Sequence, residues 1–186
     1  MTGSAPPGPG SGRGAPLLIT AELPDDVLAW ADGLRQLHYP PERNRLRAHV
    51  TLFHALPPSS EAEVRRLLVR LAVQIAPPAR FGGIFDLGTG TAFDIYSPEM
   101  VALHAQIGEA LHGLLTRQDD RKLRLHVTVQ NKVTRQTAIT TQAHLATMAV
   151  PGPFHFHGFG LYAWEAGLWR PIRKFPFRGG PFGSGR

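Results

Sequence analysis

Two short stretches of the chain alternate between polar and apolar residues in nearly the same way. They are Arg47-Ala-His-Val-Thr-Leu-Phe53 and Arg124-Leu-His-Val-Thr-Val-Gln130. Because side chains on a β-strand point alternately to opposite faces, each stretch predicts a strand with one apolar face that suits a core. The other face of each strand presents an arginine, a histidine and a threonine in the same order. The pattern looks like an internal duplication that sets His49 and His126 across from each other.

Hydrophobic periodicity divides the rest of the chain into four helices and several strands. Apolar residues recur at helical spacing after three helix starts, which are Pro24, Ser60 and Ser97, and Thr134 begins a fourth predicted helix that runs towards Met148. Further strands are predicted at 17–21, in a hairpin of 81–88 with 91–96, and in a closing hairpin of 154–164 with 168–175. The order β, α, β, α, β, β, α, β, α, β, β indicates an α+β fold with two similar lobes. No Gly-rich turn follows the first strand, which argues against a doubly wound nucleotide-binding fold.

Length and local composition predict the domain boundaries. A chain of 186 residues fits one domain with a sizeable core. Residues 1–15 are rich in Pro, Gly and Ser and are expected to be a flexible tail, 16–177 to form the domain, and the Gly-rich, basic residues 178–186 to form a second tail. The sequence has no signal-peptide pattern and no apolar run of membrane-spanning length. We therefore expect a cytoplasmic monomer without a membrane partner.

Charge and cysteine content narrow the possible partners. The sequence contains no cysteine, which excludes a disulfide framework and a thiolate metal site. A formal net charge of +6 and a pI near 10.5 favour an anionic partner, with nucleic acid the obvious candidate. On charge alone, the alternative is a basic surface with no special partner.

Two histidines that face one cleft form a natural acid–base pair. The unperturbed pKa of imidazole is about 6.5, so near neutral pH one histidine can accept a proton while the other donates one. Thr51 and Thr128 project in the same direction as the histidines, and their hydroxyls can donate to the non-bridging oxygens of a phosphodiester. This scheme needs no metal and no cofactor.

The His49-Val-Thr51 and His126-Val-Thr128 pair, whose histidines are 77 residues apart, resembles the twin motifs of the two-histidine phosphoesterase superfamily. This group includes LigT-like 2′-5′ RNA ligases and cyclic phosphodiesterases, and the flanking residues resemble its small bacterial branch. The resemblance implies a bilobal, pseudo-two-fold α+β fold, with an antiparallel sheet and helices in each lobe around a central cleft. It also implies metal-independent opening of 2′,3′-cyclic phosphates on RNA ends or small nucleotides, with 2′-5′ ligation as the reverse reaction. His49 and His126 would be catalytic, and Thr51 and Thr128 would bind the phosphate.

Four residues beside the motifs are candidate substrate contacts. Arg47 and Arg124 share the polar faces with the histidines and could bind phosphate, or could simply lie in solvent. Phe53 could stack on a base or pack at the floor of the cleft, and Gln130 occupies the equivalent place in the second strand. His54 falls on the apolar side of its strand, so we interpret it as structural.

Two other classes of function compete with this hypothesis. The chain could be an RNA-binding module that keeps the cleft with little or no turnover, although the presence of both histidines and both threonines favours an enzyme. A metal-dependent hydrolase would need a cluster of acidic and histidine ligands. Acidic residues near the motifs are sparse, with Asp86 and Asp94 the clearest candidates, so this hypothesis ranks last.

Overall fold

Eight antiparallel strands form two four-stranded sheets in the computed structural model, which describes residues 14–119 and 122–179. The strands are β1 (Leu17–Glu22), β2 (Val50–Leu56), β3 (Pro78–Asp86), β4 (Thr91–Tyr96), β5 (His126–Gln130), β6 (Phe154–His155), β7 (Gly158–Glu165) and β8 (Leu168–Pro176). One sheet has the order β2-β1-β7-β8, and the other has the order β5-β4-β3-β6. The predicted α+β fold with two similar lobes is confirmed.

Four helices cover the two sheets, and their starts follow from local chemistry. They are α1 (Asp25–His38), α2 (Glu61–Leu71), α3 (Pro98–Ala110) and α4 (Arg135–Leu145). Two acidic residues occupy the first turn of α1, where they suit the free main-chain N–H groups. The hydroxyl of Ser97 accepts a hydrogen bond from the N–H of Met100, and Thr134 caps α4 in the same way. No helix in the described ranges is long and apolar enough to cross a membrane.

The predicted strand at 154–164 is split between the two sheets. Its first part, β6, pairs with β3, whereas β7 pairs with β1. The main chain changes partner between two consecutive residues, because the N–H of Phe156 donates to Pro77 and the N–H of His157 donates to Glu22. The alternation of buried and exposed side chains continues through this point, so the hydrophobic pattern gives no sign of the crossing.

Most of both predicted tails lies outside the described residues, which begin at residue 14 and end at residue 179. At the C-terminal side, Arg178 and Gly179 donate main-chain hydrogen bonds to the carbonyl oxygens of Ala72 and Gln74. These bonds hold the main chain at residues 178 and 179 against the segment that follows α2.

Two helices exchange partners between the lobes. Helix α1 connects β1 to β2, yet its Trp30 ring lies 4.9 Å from Phe81 and 5.1 Å from Phe93, which belong to the other sheet. Helix α3 connects β4 to β5, and its His104 ring stacks at 4.4 Å on Phe53 of β2. Each lobe is thus covered in part by a helix from the other, and the buried side chains form one continuous core.

The strands that carry the two motifs lie next to each other at the junction of the lobes. Strand β2 is the edge strand of the first sheet, and β5 is the edge strand of the second. Their Cα atoms approach within 8 Å, although they belong to different sheets. The junction therefore brings the two motif strands together without a ladder of main-chain hydrogen bonds between the sheets.

The turn between β3 and β4 depends on a close approach that only glycine allows. A Cβ atom added at Gly90 would overlap the carbonyl oxygen of Gln130 and lie 2.8 Å from the Cα of Asn131. We expect Gly90→Ala to lower the free energy of unfolding by about 1–3 kcal/mol in urea titrations. Gly83→Ala is the control, since nothing lies within 4 Å of its added Cβ. Equal stability of the two variants would contradict this packing.

Candidate active site

The two motif histidines are held in the same way. The Nδ1 atom of His49 lies 2.7 Å from the carbonyl oxygen of Arg47, and the Nδ1 atom of His126 lies 2.7 Å from that of Arg124. Because a carbonyl oxygen only accepts hydrogen bonds, each Nδ1 carries the hydrogen. This fixes the tautomer and leaves both Nε2 atoms free for proton transfer.

The strand register sets each threonine on the same side as its histidine. In the second lobe, His126 lies opposite Asp94 and Thr128 lies opposite Ala92. In the first lobe, Thr51 lies opposite Thr20, and His49 directly precedes the strand. Both threonines and both histidines are half-buried, as expected for side chains that line a cleft.

A register shift follows the threonine in each motif strand, and the side chains beyond the inserted residue change face. Phe53 lies opposite Ile19 although Thr51 lies opposite the neighbouring Thr20, so an extra residue is inserted between them. The same shift separates Thr128 from Gln130 in β5. Strict alternation predicted Phe53 and Gln130 on the polar faces, and the shift moves both into the core.

Phe53 and Gln130 do not line the cleft, so we correct the prediction that they contact substrate. Phe53 is fully buried and packs on His104. Gln130 is 1% exposed, and its amide is occupied by Thr91, which donates to Oε1 at 3.1 Å, and by Thr141, which accepts from Nε2 at 2.7 Å. Because the side chain is buried and both amide atoms are bonded to core residues, Gln130 is not available to a ligand in the cleft.

The same shift brings His54 out of the apolar face on which alternation placed it, and its contacts there are with a neighbouring loop. Its side chain is 39% exposed, and its Nδ1 donates to Oδ1 of Asp119 at 2.9 Å. Asp119 also accepts the main-chain N–H groups of His54 and Ala55. Burial disfavours the ionised carboxylate and acts to raise the pKa of Asp119. The hydrogen bonds outweigh this effect, so the pKa is lowered.

Arg47 and Arg124 are exposed, and each is held by a carboxylate. Nε of Arg47 donates to Asp32 at 2.7 Å, and Nε of Arg124 donates to Asp94 at 2.7 Å. The guanidinium of Arg124 also lies 3.7 Å from the centre of the Phe85 ring. Whether these arginines bind phosphate stays a prediction, but both lie at the rim of the site with part of the guanidinium open to solvent.

The two acidic residues that the metal-dependent hypothesis needs are engaged with arginines. Asp94 pairs with Arg124, and Asp86 pairs with Arg135 at 2.6 Å. The hydrogen bond from Arg135 holds the pKa of Asp86 far below its usual range. Within 14–119 and 122–179, no group of three or more histidine and acidic side chains is placed to bind a metal ion.

A cavity of about 280 Å³ lies beside His49. The Trp169 ring packs 4.2 Å from the His49 ring and forms part of the cavity wall. The wall also carries aromatic, basic and acidic side chains, among them Tyr162, Arg45, Lys174 and Glu22. The cavity combines an aromatic surface with cationic groups, which suits an anionic ligand with an aromatic part.

Burial shifts both histidines towards the neutral form. Burial lowers the pKa of His49 to about 4, the hydrogen bond to the Arg47 carbonyl opposes this shift, and the nearby charges of Arg35 and His126 reinforce it. Burial also lowers the pKa of His126, while the hydrogen bond to the Arg124 carbonyl and the nearby carboxylate of Asp94 act to raise it. At neutral pH the free site therefore holds two neutral imidazoles, each with Nε2 able to accept a proton.

Sequence reasoning missed two residues that contact the motif segments, Arg35 and Asp119. Arg35 is 4% exposed, and its Nη1 donates to the carbonyl oxygen of Thr128 at 2.9 Å. The available signal was its position on α1, four residues after the buried Ala31 on the apolar face of that helix. Asp119 lies in a polar loop without periodicity, so no signal singled it out.

The two strands that follow or carry the motif histidines lie side by side at the junction of the two sheets. The family model of the 2′-5′ RNA ligase superfamily matches residues 23–168, well over half of the chain. The chain therefore belongs to this superfamily, whose members are enzymes of phosphoester chemistry. The predicted family is confirmed. A comparison with curated proteins finds no match.

Solved structures share the fold. The crystal structure of TT0787 of Thermus thermophilus has a TM-score of 0.62 and 20% identity, covering 88% of this chain and 98% of that one. E. coli LigT complexed with 3′-AMP has a TM-score of 0.56 and 17% identity, covering 90% of this chain and 100% of that one. A further phosphoesterase structure has a TM-score of 0.52 and 19% identity, covering 89% and 99%. At these identities the likeness establishes the fold.

The packing of Trp169 on His49 has a measurable consequence for the pKa of that histidine. We expect NMR titration of the imidazole signals to give His49 a pKa of about 4 in the unmodified protein. Trp169→Ala lets water reach the ring, and the pKa of His49 should then rise towards its ordinary value of about 6.5. Tyr96→Ala, which removes an exposed aromatic side chain from the other lobe, should leave it unchanged. An ordinary pKa before any substitution would contradict the burial of His49.

Proposed function

We propose that this protein is a metal-independent phosphodiesterase that opens 2′,3′-cyclic phosphates on RNA ends or small nucleotides. The observation that carries the proposal is the repeated arrangement of His49 with Thr51 and His126 with Thr128. Both histidines have Nδ1 bonded to a carbonyl and Nε2 free, and the two motif strands meet at the junction of the lobes. The pair supplies one acid and one base to a phosphate bound between them.

The reaction needs one proton on the histidine pair. The neutral imidazole takes a proton from a water molecule as its oxygen bonds to phosphorus, and the protonated imidazole gives its proton to the ribose oxygen that leaves. The P–O bond to that ribose oxygen breaks, and a phosphate monoester remains on the other ribose oxygen. Thr51 and Thr128 donate to the non-bridging oxygens, where negative charge increases in the transition state.

The bound phosphate itself favours this protonation state. Its negative charge raises the pKa of any imidazole close to it, so the first histidine to be protonated is stabilised when substrate arrives. The lowered pKa values of both imidazoles therefore suit a site in which one histidine is protonated only when the phosphodiester binds. A 5′-hydroxyl that attacks the cyclic phosphate in place of water would form a 2′-5′ linkage by the same proton transfers, with the P–O bond to the ribose 3′-oxygen broken and that oxygen protonated as it leaves.

The surroundings of His49 support a nucleotide as the substrate. The cavity beside it offers Trp169 for contact with a base and Arg45 for contact with phosphate, while Lys174 pairs with Glu22 at 2.9 Å. The formal net charge of +6 also favours an anionic substrate. Among the structural relatives, E. coli LigT is complexed with 3′-AMP, which agrees with a nucleotide ligand for this cleft.

The proposal is tested by turnover of 2′,3′-cyclic AMP and of a short RNA with a cyclic end, in buffer that contains EDTA. We expect the unmodified protein to hydrolyse at least one of them. We expect His49→Ala and His126→Ala each to lose about 10²- to 10⁴-fold in kcat, because each removes one of the two proton transfers. His155→Ala, an exposed histidine outside the motifs, is the control and should keep full activity.

Two results would contradict the proposal. Activity that disappears in EDTA and returns with a divalent metal would point to a metal-dependent hydrolase. Binding of RNA with a steep salt dependence, without turnover of either substrate, would favour the alternative of an RNA-binding module with the same cleft.

A further inference from the structure

Each motif strand is tied to the chain segment that leads into the other motif. Arg35 and Asn44 precede the first motif, and Arg35 reaches across to the carbonyl of Thr128 in the second. Asp119 precedes the second motif and reaches across to the main chain of β2, directly after the first. We call these contacts the Arg35 tie and the Asp119 tie. They run in opposite directions across the junction, one from each side.

In the Arg35 tie, one buried guanidinium joins both halves of the site. Its Nε donates to the side-chain oxygen of Asn44 at 3.1 Å, and its Nη1 donates to the Thr128 carbonyl at 2.9 Å. Asn44 lies five residues before His49, and the Thr128 carbonyl belongs to the phosphate-binding position of the other motif. The planar fork of arginine fixes both donors in one geometry, which lysine cannot do.

The Arg35 tie is a poor solution for stability alone. Its hydrogen-bond partners, an amide oxygen and a main-chain carbonyl, are neutral, and burial lowers the pKa of the guanidinium. Burying a charge without a directly bonded counter-charge costs more than packing an apolar side chain of similar size. We therefore attribute to Arg35 the alignment of two chain segments, and not a gain in the stability of the fold.

In the Asp119 tie, one carboxylate joins the loop before β5 to the free edge of β2. It accepts the N–H groups of His54 and Ala55, the Nδ1–H of His54, and the hydroxyl of Thr116 at 3.2 Å. Its side chain is 1% exposed. Consecutive N–H groups on an edge strand would otherwise face the loop without partners, so the carboxylate both satisfies them and fixes the loop.

We propose that Arg35 and Asp119 are positioning residues that set the distance and alignment between His49 and His126. The two histidines belong to edge strands of different sheets, so no main-chain ladder fixes their separation. The two ties connect the strands at this junction. The Arg35 tie reaches β5 from α1, and the Asp119 tie reaches β2 from the loop before β5. This role rests on the proposed function, because two histidines must act on one phosphate for their separation to matter.

The kinetic test compares Arg35→Met, Arg35→Lys and Asp119→Asn with two exposed controls, Arg66→Met on α2 and Asp26→Asn on α1. We expect the three variants to lose about tenfold to a hundredfold in kcat on a 2′,3′-cyclic nucleotide, since misalignment of about 1 Å has effects of this size. KM should change less than about threefold, because the groups that contact substrate remain. The controls should match the unmodified protein.

A second readout needs no turnover, so it separates this proposal from the proposed function. Inorganic phosphate is titrated while the imidazole signals of His49 and His126 are followed by NMR. In the unmodified protein we expect both signals to shift with a single Kd, because one anion lies between them. In Arg35→Met and Asp119→Asn, we expect the two responses to separate, with one histidine responding at higher phosphate concentration or not at all.

The proposal is overturned if the variants fold and still respond to phosphate with a single Kd, whatever their activity. It is also overturned if folded variants keep kcat within about twofold of the controls. Should Arg35→Met fail to fold, Arg35→Lys decides, since it keeps the charge and one donor and removes the planar fork. Folding is judged from far-UV circular dichroism and from the dispersion of the amide signals.

Discussion

The site depends on one hydrogen bond that occurs twice, from Nδ1 of each motif histidine to the carbonyl oxygen two residues earlier. This bond holds the imidazole ring to its own strand, and it places the reactive lone pair on Nε2. The carbonyls belong to Arg47 and Arg124, and each arginine is anchored by an aspartate. The chain therefore positions its two motif histidines by short-range contacts that the repeated sequence pattern provides twice.

Local hydrogen bonds cannot bring the two motif strands together, and the fold does this instead. Helices α1 and α3 each pack on the sheet of the other lobe, and the motif strands are left as neighbouring edges. An edge strand exposes unpaired main-chain groups, which here are bound by side chains from across the junction. The two edge strands thus form the floor of a cleft. The side chains that bond their main-chain groups also join the two lobes.

Much of this arrangement could be predicted from the sequence, because it rests on local patterns. Alternation placed the strands around His49 and His126, helical spacing placed the first three helices, and the start at Thr134 placed the fourth. The register shifts after Thr51 and Thr128 could not be predicted, since an inserted residue depends on the partner strand. For this reason Phe53 was expected on the polar face and His54 on the apolar face of the strand, whereas Phe53 is buried and His54 is partly exposed. Long-range contacts such as those of Arg35 carry no local signal beyond a buried helical position.

The central claim is that His49 and His126 act on one phosphate as a single unit. It is tested most directly by comparing kcat/KM on a 2′,3′-cyclic nucleotide for the protein, both single alanine variants and the double variant. If the histidines share one reaction, the double variant should be no slower than the slower single variant, because either loss already disables the pair. Losses that multiply in the double variant, or a single variant that keeps full activity, would contradict the account.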